Sequence, residues 1–507
     1  MLGVAAASFY YRRGLTLSHY DAKAHLVVAR RILDSRTPGW LQVGAVWLPL
    51  PHLLNAIPVQ LDVFYRTGLS AVAMSVAAFA VAVYAAVALI LRTTGSRAGA
   101  LVAACAIALN PNVLYLQATP MTESLLLGFS ALSVLLTYEW LVADAIRAPR
   151  SAGWALVALC LTRYEGWLIA AAAVACAGIV LLFKGHSWSI ATRRAAKLAV
   201  YPVVCIAAFL VHSRLTIGSW MVTDGFFVPE NPALGHPWTA LVQTWWGTHM
   251  LAGHAITTAG IAAAIVIAGR SVMRRTTSAT LIVLALGACA LLPCYAFYEG
   301  HPFRIRYMVP VAFAAAISTG TAVGLLRRGQ ALAAGLLIGL AVIEARPFDS
   351  TAPMLVEAQW DRPNSIARQA VTACLTANYA GEPILMSMGS LAHYMQELSR
   401  NGFAVRDFVH EGNHPLWDEA IIAPQGRVGW IVIEEQAEGG DVLAARSRQV
   451  PAFLNGFTRI CSGGGVALHR AHEAVPQFAS RSSDDFEHLR VKVSVGRHDF
   501  VTVRRER

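Results

Sequence analysis

The sequence predicts a polytopic α-helical membrane protein of about 10–11 transmembrane helices, with a small C-terminal α/β domain outside the membrane. Three observations predict it. Apolar stretches recur at the length needed to span a ~30 Å hydrocarbon core. Of 507 residues, 56% are hydrophobic and only 14% charged, and mean hydropathy is +0.50; soluble chains carry roughly 25% charged residues. Near residue 347 the composition turns polar and stays so to the C-terminus.

The apolar spans fall near 67–91, 98–117, 123–143, 152–163, 166–183, 195–217, 246–269, 278–298, 306–326 and 330–345. Two of them meet at Arg163-Tyr164-Glu165-Gly166, which predicts a tight re-entering pair. Basic residues occupy alternate connections: Arg92 and Arg97; Arg147 and Arg150; Lys184, Arg193, Arg194 and Lys197; Arg270, Arg274 and Arg275; Arg327 and Arg328. All five connections therefore share one side, and the positive-inside rule makes it the cytoplasmic one. The formal charge of +11 is accounted for in this way. It does not indicate nucleic acid, because the basic residues are spread between apolar spans and not gathered on one soluble face.

The remaining connections face outward. They hold Asp21, Glu123, Arg163 to Glu165, the segment 218–245, and Glu299 to Arg306. Only Lys and Arg were used to assign sides, yet the unusual polar residues collect on one face. The alternation also places residues 12–66 outside. The eleven residues before Arg12 reach only about half the core thickness and lack the basic start of a signal peptide. Either the chain starts outside, or a further apolar segment of about ten residues upstream completes a span, and the second is expected.

Within 12–66, residues 24–34 have near-helical apolar spacing and predict a helix lying in the interface plane. The proline-flanked stretch 47–59 predicts a second. The chain divides into a transmembrane domain, 1–346, with 12–66 as its outer loop; an extracytoplasmic α/β domain, 347–473; and a charged tail, 474–507. In the α/β domain, 364–378 reads as an amphipathic helix. Residues 384–386, 428–433 and 466–469 read as short strands. Val491, Val493 and Val495 alternate in the tail and suit a terminal strand.

Six of the eight cysteines lie in apolar spans and read as small buried hydrophobes. No Cys or His spacing suits zinc. Cys374 and Cys461 lie in the polar part and are able to form a disulfide if it faces an oxidising compartment; the sequence leaves this open.

Several constellations suit chemistry. Asp21 is an outward carboxylate at a membrane edge, able to accept a proton from a hydroxyl; the alternative is an interfacial acid paired with Lys23 or Arg13. Glu123 follows Thr119-Pro120-Met121-Thr122, where an acid suits a helix N-terminus, yet it shares the outer face with Asp21. Arg163 and Glu165 either pair with each other or bind substrate. His301, Arg304, Arg306 and Tyr307 form the fourth group. Outward arginines run against the charge bias and suit bidentate phosphate binding; the alternative is anchoring to headgroups. His25 and His52 read first as interfacial or core histidines.

Four motifs carry a resemblance: Tyr20-Asp21-Ala22-Lys23-Ala24-His25, Thr119-Pro120-Met121-Thr122-Glu123, Thr162-Arg163-Tyr164-Glu165-Gly166, and Arg304-Ile305-Arg306-Tyr307-Met308-Val309-Pro310. With the layout of the spans they make residues 15–345 resemble the GT-C membrane glycosyltransferases, in the branch of protein O-mannosyltransferases and aminoarabinose transferases. The resemblance implies a GT-C-like fold in the plasma membrane and a polyprenyl-phosphate-linked sugar donor reached from the bilayer. It also implies hexosyl or pentosyl transfer with inversion, and Asp21 as catalytic base. The acceptor would be an extracytoplasmic protein, lipid or polysaccharide. Many relatives place a second acid directly after the first; here Ala22 stands there, which leaves open whether Glu123 shares the catalytic role. His25, Arg163, Glu165, His301, Arg304, Arg306 and Tyr307 are the candidate substrate-binding residues. No DxD pair occurs in the first loop, so a metal-dependent pattern is not supported, and no cofactor is firmly implied. The competing readings are a transporter or lipid flippase and a non-enzymatic assembly protein. A transporter usually shows inverted repeats and midplane charges, and neither is visible.

Overall fold

The computed structural model describes residues 1–44, 46–143, 146–221, 231–437 and 440–473. The tail at 474–507, with its alternating valines, and the centre of the 218–245 segment lie outside these residues. Four short helices come first: α1 (Leu2–Arg12), α2 (Tyr20–Arg30), α3 (Leu50–Asn55) and α4 (Asp62–Thr67). The membrane part follows as α5 (Leu69–Thr94), α6 (Arg97–Ala108), α7 (Pro111–Leu116), α8 (Glu123–Val142), α9 (Arg150–Cys160), α10 (Glu165–Phe183), α11 (Trp188–Thr216), α12 (Pro237–Met273), α13 (Leu291–Tyr298), α14 (Val309–Leu325) and α15 (Gln330–Glu344).

Among the described residues, seven helical stretches are long and apolar enough to cross a membrane: α5, α8, α10, α11, α12, Ser278–Tyr298 and Ile305–Leu325. The other three expected spans are shorter helices. The 98–117 span is divided into α6 and α7 at Asn110, whose side chain accepts from the backbone N–H of Asn112 and Val113. Pro111 follows at the first position of the new helix, where its missing N–H costs nothing. The 152–163 span is α9, and 330–345 is α15. Long α12 is broken at Gly253 (φ 80), and the Glu344 carboxylate accepts the freed Ala255 N–H at 2.9 Å. Helices α6 and α14 pack backbone to backbone through Gly99 and Gly320: a Cβ at Gly99 would lie 2.2 Å from the Gly320 carbonyl oxygen. Small residues allow such close helix contact in an apolar medium.

The helix ends sort as the charge pattern predicts. At one end Arg92 pairs with Glu139, Lys184 donates to the Leu141 carbonyl and Arg270 to that of Leu325. The opposite end holds the starts of α8 and α10, the approach to α14, and the short helices α1 to α4.

The C-terminal domain sits on that opposite end. It adds α16 (Pro353–Glu357), α17 (Arg362–Asn378), α18 (Met388–Leu398), α19 (Leu416–Ile422) and α20 (Val442–Gln449) around five strands: β1 (Ile384–Met386), β2 (Phe408–Val409), β3 (Trp430–Glu434), β4 (Phe457–Gly463) and β5 (Val466–Ala471). The sheet order is β2-β1-β3-β5-β4. The first three strands are parallel, and β5 is antiparallel to both β3 and β4. Both faces are covered, in the period of two that strands impose. Ile384, Met386, Trp430 and Val432 pack on one side, Leu385, Ile431 and Ile433 on the other. Cys374 on α17 is disulfide-bonded to Cys461 on β4. The edge strands β2 and β4 escaped the sequence reading: β2 has two residues, and β4 is largely exposed and so carries little apolar signal.

Helix α2 corrects one expectation. It starts earlier than 24–34, at Tyr20, and Asp21 to Ala29 are all buried. Leu26, Val27 and Ala29 share a core with Leu391, Met395 and Leu398 of α18, and Lys23 Nζ reaches Glu397 Oε1 at 2.5 Å. An amphipathic pattern reports only that one face is apolar, so it does not distinguish a lipid interface from a covering domain. Here the domain covers the helix.

Candidate active site

Asp21 lies in the first turn of α2, fixed by the residue before the helix. His19 is the N-cap, and its Nδ1 accepts the Asp21 backbone N–H at 3.1 Å. Asp21 Oδ2 is ion-paired with Arg306 Nη1. Arg306 comes from the 3-10 turn Ile305–Met308 that leads into α14, and it is buried. Its Nη1 also lies 3.1 Å from His19 Nε2. Beyond His19 is Glu357, at the end of α16: Oε1 is 3.6 Å from His19 Nε2, and Oε2 accepts the Ile305 N–H at 2.7 Å. Burial works against the Glu357 charge, but His19, Arg306 and the Ile305 N–H outweigh it and hold its carboxyl below the usual range. The acid thus steadies the turn that delivers Arg306. Neither His19 nor Glu357 was singled out from sequence. His19 carried a faint signal, standing two residues before Asp21; Glu357 carried none.

Arg163 joins two helix starts. Its Nη1 bonds Glu123 Oε1 at 3.0 Å and Thr122 Oγ1 at 3.1 Å, and its Nη2 bonds Glu165 Oε1 at 2.9 Å. Glu123 opens α8 and Glu165 opens α10, where a negative charge suits the helix dipole. The Arg163–Glu165 pairing foreseen as one alternative is present, with Glu123 added. Glu123 Oε2 is buried with no hydrogen-bond partner. Removing the guanidinium would leave two buried carboxylates facing each other. Arg163→Ala is therefore expected to destabilise the protein by about 3–5 kcal/mol, the cost of breaking a buried pair from one side. Thermal unfolding in detergent measures this, and an unchanged midpoint would show that the bridge is not structural.

The 301–307 group divides. The His301 ring packs edge-on to Tyr307 at 5.4 Å. Arg304 lies over the Trp360 ring at 5.6 Å, while Arg306 turns inward. The 3-10 turn Ile305–Met308 begins between the two arginines. Both nonetheless stay within electrostatic reach of Tyr20, as does Asp21. Lys23, one alternative partner for Asp21, is engaged by Glu397 instead.

His25 and His52 are linked. His25 Nδ1 is 3.0 Å from His52 Nε2, His52 Nδ1 is 3.2 Å from the Leu48 carbonyl oxygen, and the Trp47 ring lies tilted against His25 with centroids 4.0 Å apart. Both rings are buried, which lowers their pKa, to about 3 for His52. Arg163 and Arg306 lie within electrostatic reach of His25, so the motifs separated in sequence converge on one region. Among the described residues no three His, Cys, Asp or Glu side chains are grouped as metal ligands.

No family model matches the sequence, and no curated protein matches it. Solved structures do match. The chain is similar to ArnT from Cupriavidus metallidurans bound to undecaprenyl phosphate, with TM-score 0.57 and 12% identity over 92% of this chain and 97% of that one. The apo state of the same protein gives TM-score 0.53 and 13% identity over the same shares. The oligosaccharyltransferase of Archaeoglobus fulgidus, in complex with zinc and sulfate, gives TM-score 0.50 and 12% identity over 90% of this chain and 71% of that one. The likeness is one of fold: this chain shares the fold of these neighbours, as the resemblance implied. With its seven apolar spans the chain is an integral membrane protein.

Proposed function

We propose that this protein is a membrane glycosyltransferase that moves a hexosyl or pentosyl group from a polyprenyl-phosphate-linked donor to an acceptor on the non-cytoplasmic side, with Asp21 as general base. The observation that carries the reading is the buried Asp21–Arg306 pair on a fold whose neighbour binds undecaprenyl phosphate. Arg306 is the cation offered to the donor phosphate. When the phosphate takes the guanidinium, Asp21 loses its partner and becomes free to accept a proton. It takes that proton from an acceptor hydroxyl as the oxygen attacks the anomeric carbon. The new glycosidic C–O bond forms while the bond to the phosphate oxygen breaks on the opposite face, so configuration inverts. The phosphate leaves as a stable anion and needs no strong general acid, while Arg306 stabilises the charge it gains. Donor binding and activation of the base are thus one event.

Two features support the orientation. The basic connections mark the cytoplasmic end, and a disulfide in the domain at the opposite end suits an oxidising compartment. Purified protein should transfer radiolabelled sugar from an undecaprenyl-phosphate donor to envelope acceptors. In intact cells, cysteines introduced at surface positions of the C-terminal domain should react with an impermeant maleimide. Labelling only after the membrane is broken would reverse the orientation, and no transfer from any lipid-phosphate sugar would remove the reading.

A further inference from the structure

Glu357 brings more to the site than support for a turn. Its Oε2 accepts the Ile305 N–H at 2.7 Å. Its Oε1 is buried without a hydrogen bond, 3.6 Å from His19 Nε2. The same nitrogen lies 3.1 Å from Arg306 Nη1, so the carboxylate and the guanidinium meet at one edge of the imidazole. His19 Nδ1 accepts the Asp21 N–H, which puts the hydrogen of a neutral ring on Nε2. Arginine offers no acceptor, so that hydrogen is directed to Glu357. The carboxyl is held below the usual range and is therefore ionised at neutral pH.

The carboxylate is also fixed in place. It ends α16, whose Met354 N–H donates to Asn112 Oδ1 at 3.0 Å and whose Met354 and Leu355 are buried. Arg306 thus answers to two carboxylates, Asp21 and Glu357. Arg163 does not redress the balance, because Glu123 and Glu165 already engage it. Once Asp21 has taken the acceptor's proton, Glu357 is still charged. A sugar-linked lipid phosphate is a diester with one negative charge. The lipid phosphate left after transfer is a monoester whose charge approaches two at neutral pH. A fixed negative charge acts about twice as strongly on the second as on the first, and salt screens little in a buried site.

We propose that Glu357 sorts donor from product by charge: it disfavours the doubly charged lipid phosphate at Arg306 more than the singly charged donor, and so speeds release of the spent carrier. The inference rests on the donor reading above, which puts the phosphate at Arg306.

The test uses the full chain in nanodiscs and two probes that differ by one charge and carry no sugar: undecaprenyl phosphate and its methyl diester. Glu357→Gln keeps an oxygen for the Ile305 N–H and removes the charge. It should bind undecaprenyl phosphate about tenfold more tightly and the diester only about threefold more tightly, because the lost repulsion scales with ligand charge. Dissociation of undecaprenyl phosphate should slow accordingly. Glu357→Asp keeps the charge and should keep the wild-type ratio of the two affinities, even if both affinities and the unfolding temperature fall. A purely structural role predicts instead that both variants weaken both probes alike. Equal changes for the two probes in Glu357→Gln, an unslowed dissociation, or an altered ratio in Glu357→Asp would overturn the inference. Failure of wild type to bind either probe would remove the donor reading itself, and the inference with it.

Discussion

Asp21→Asn is expected to lower sugar transfer by about two orders of magnitude or more, the usual cost of losing a general base, while polyprenyl-phosphate binding persists or tightens. Asparagine keeps the size of the side chain and its place beside His19. It neither accepts the acceptor's proton nor holds Arg306 as an ion pair. The donor phosphate then no longer competes with a carboxylate for the guanidinium, so its affinity should not fall. This opposite movement of rate and binding separates the proposed role from a structural one. A structural ion pair would, when broken, lower stability and binding together. Single-turnover transfer and lipid-phosphate binding on the same preparation measure both. Near-normal transfer would move the base to Glu123, whose Oε2 is buried and unpartnered, or remove the enzymatic reading.

Arg306→Ala is expected to lower the maximal rate by about 10²–10³-fold, the scale for losing one donor to a developing anion, and to raise the donor concentration at half-saturation. It also leaves Asp21 and Glu357 without the cation near both, so stability should fall by about 3–5 kcal/mol, and the assay must be run below the lowered unfolding temperature. Arg306→Lys keeps the charge but not the planar fork, so it should fall between wild type and alanine in both rate and half-saturation. Headgroup anchoring predicts that lysine substitutes freely and that donor dependence is unchanged. Identical donor titrations for the three proteins would therefore exclude the phosphate clamp.

What the sequence determined about this protein is what local composition controls. Hydropathy located the spans, because an apolar helix of sufficient length reads the same in any fold. The alternation of Lys and Arg separated the two ends, and the structure gathers Arg92, Lys184 and Arg270 at one and Asp21, Glu123, Arg163 and Arg306 at the other. The short motifs indicated the fold, and short apolar runs with β-branched residues located β1, β3 and β5. Only the tertiary structure decided the partners. Asp21 pairs with Arg306, which stands 285 positions further along the chain, His19 meets Glu357, and Arg163 reaches Glu123 as well as its neighbour Glu165. Asp21, Glu123 and Glu357 each have nearer cations in sequence, and Lys23, two residues from Asp21, was a reasonable candidate until α18 supplied Glu397. The physical reason is that a buried charge is satisfied by whichever opposite charge the packing brings within reach, and packing is set by how distant helices and a covering domain meet. The same holds for α2 and the histidines. An amphipathic stretch does not name the surface that covers it, and a tautomer is fixed only when a second ring and a carbonyl oxygen are brought to its edge.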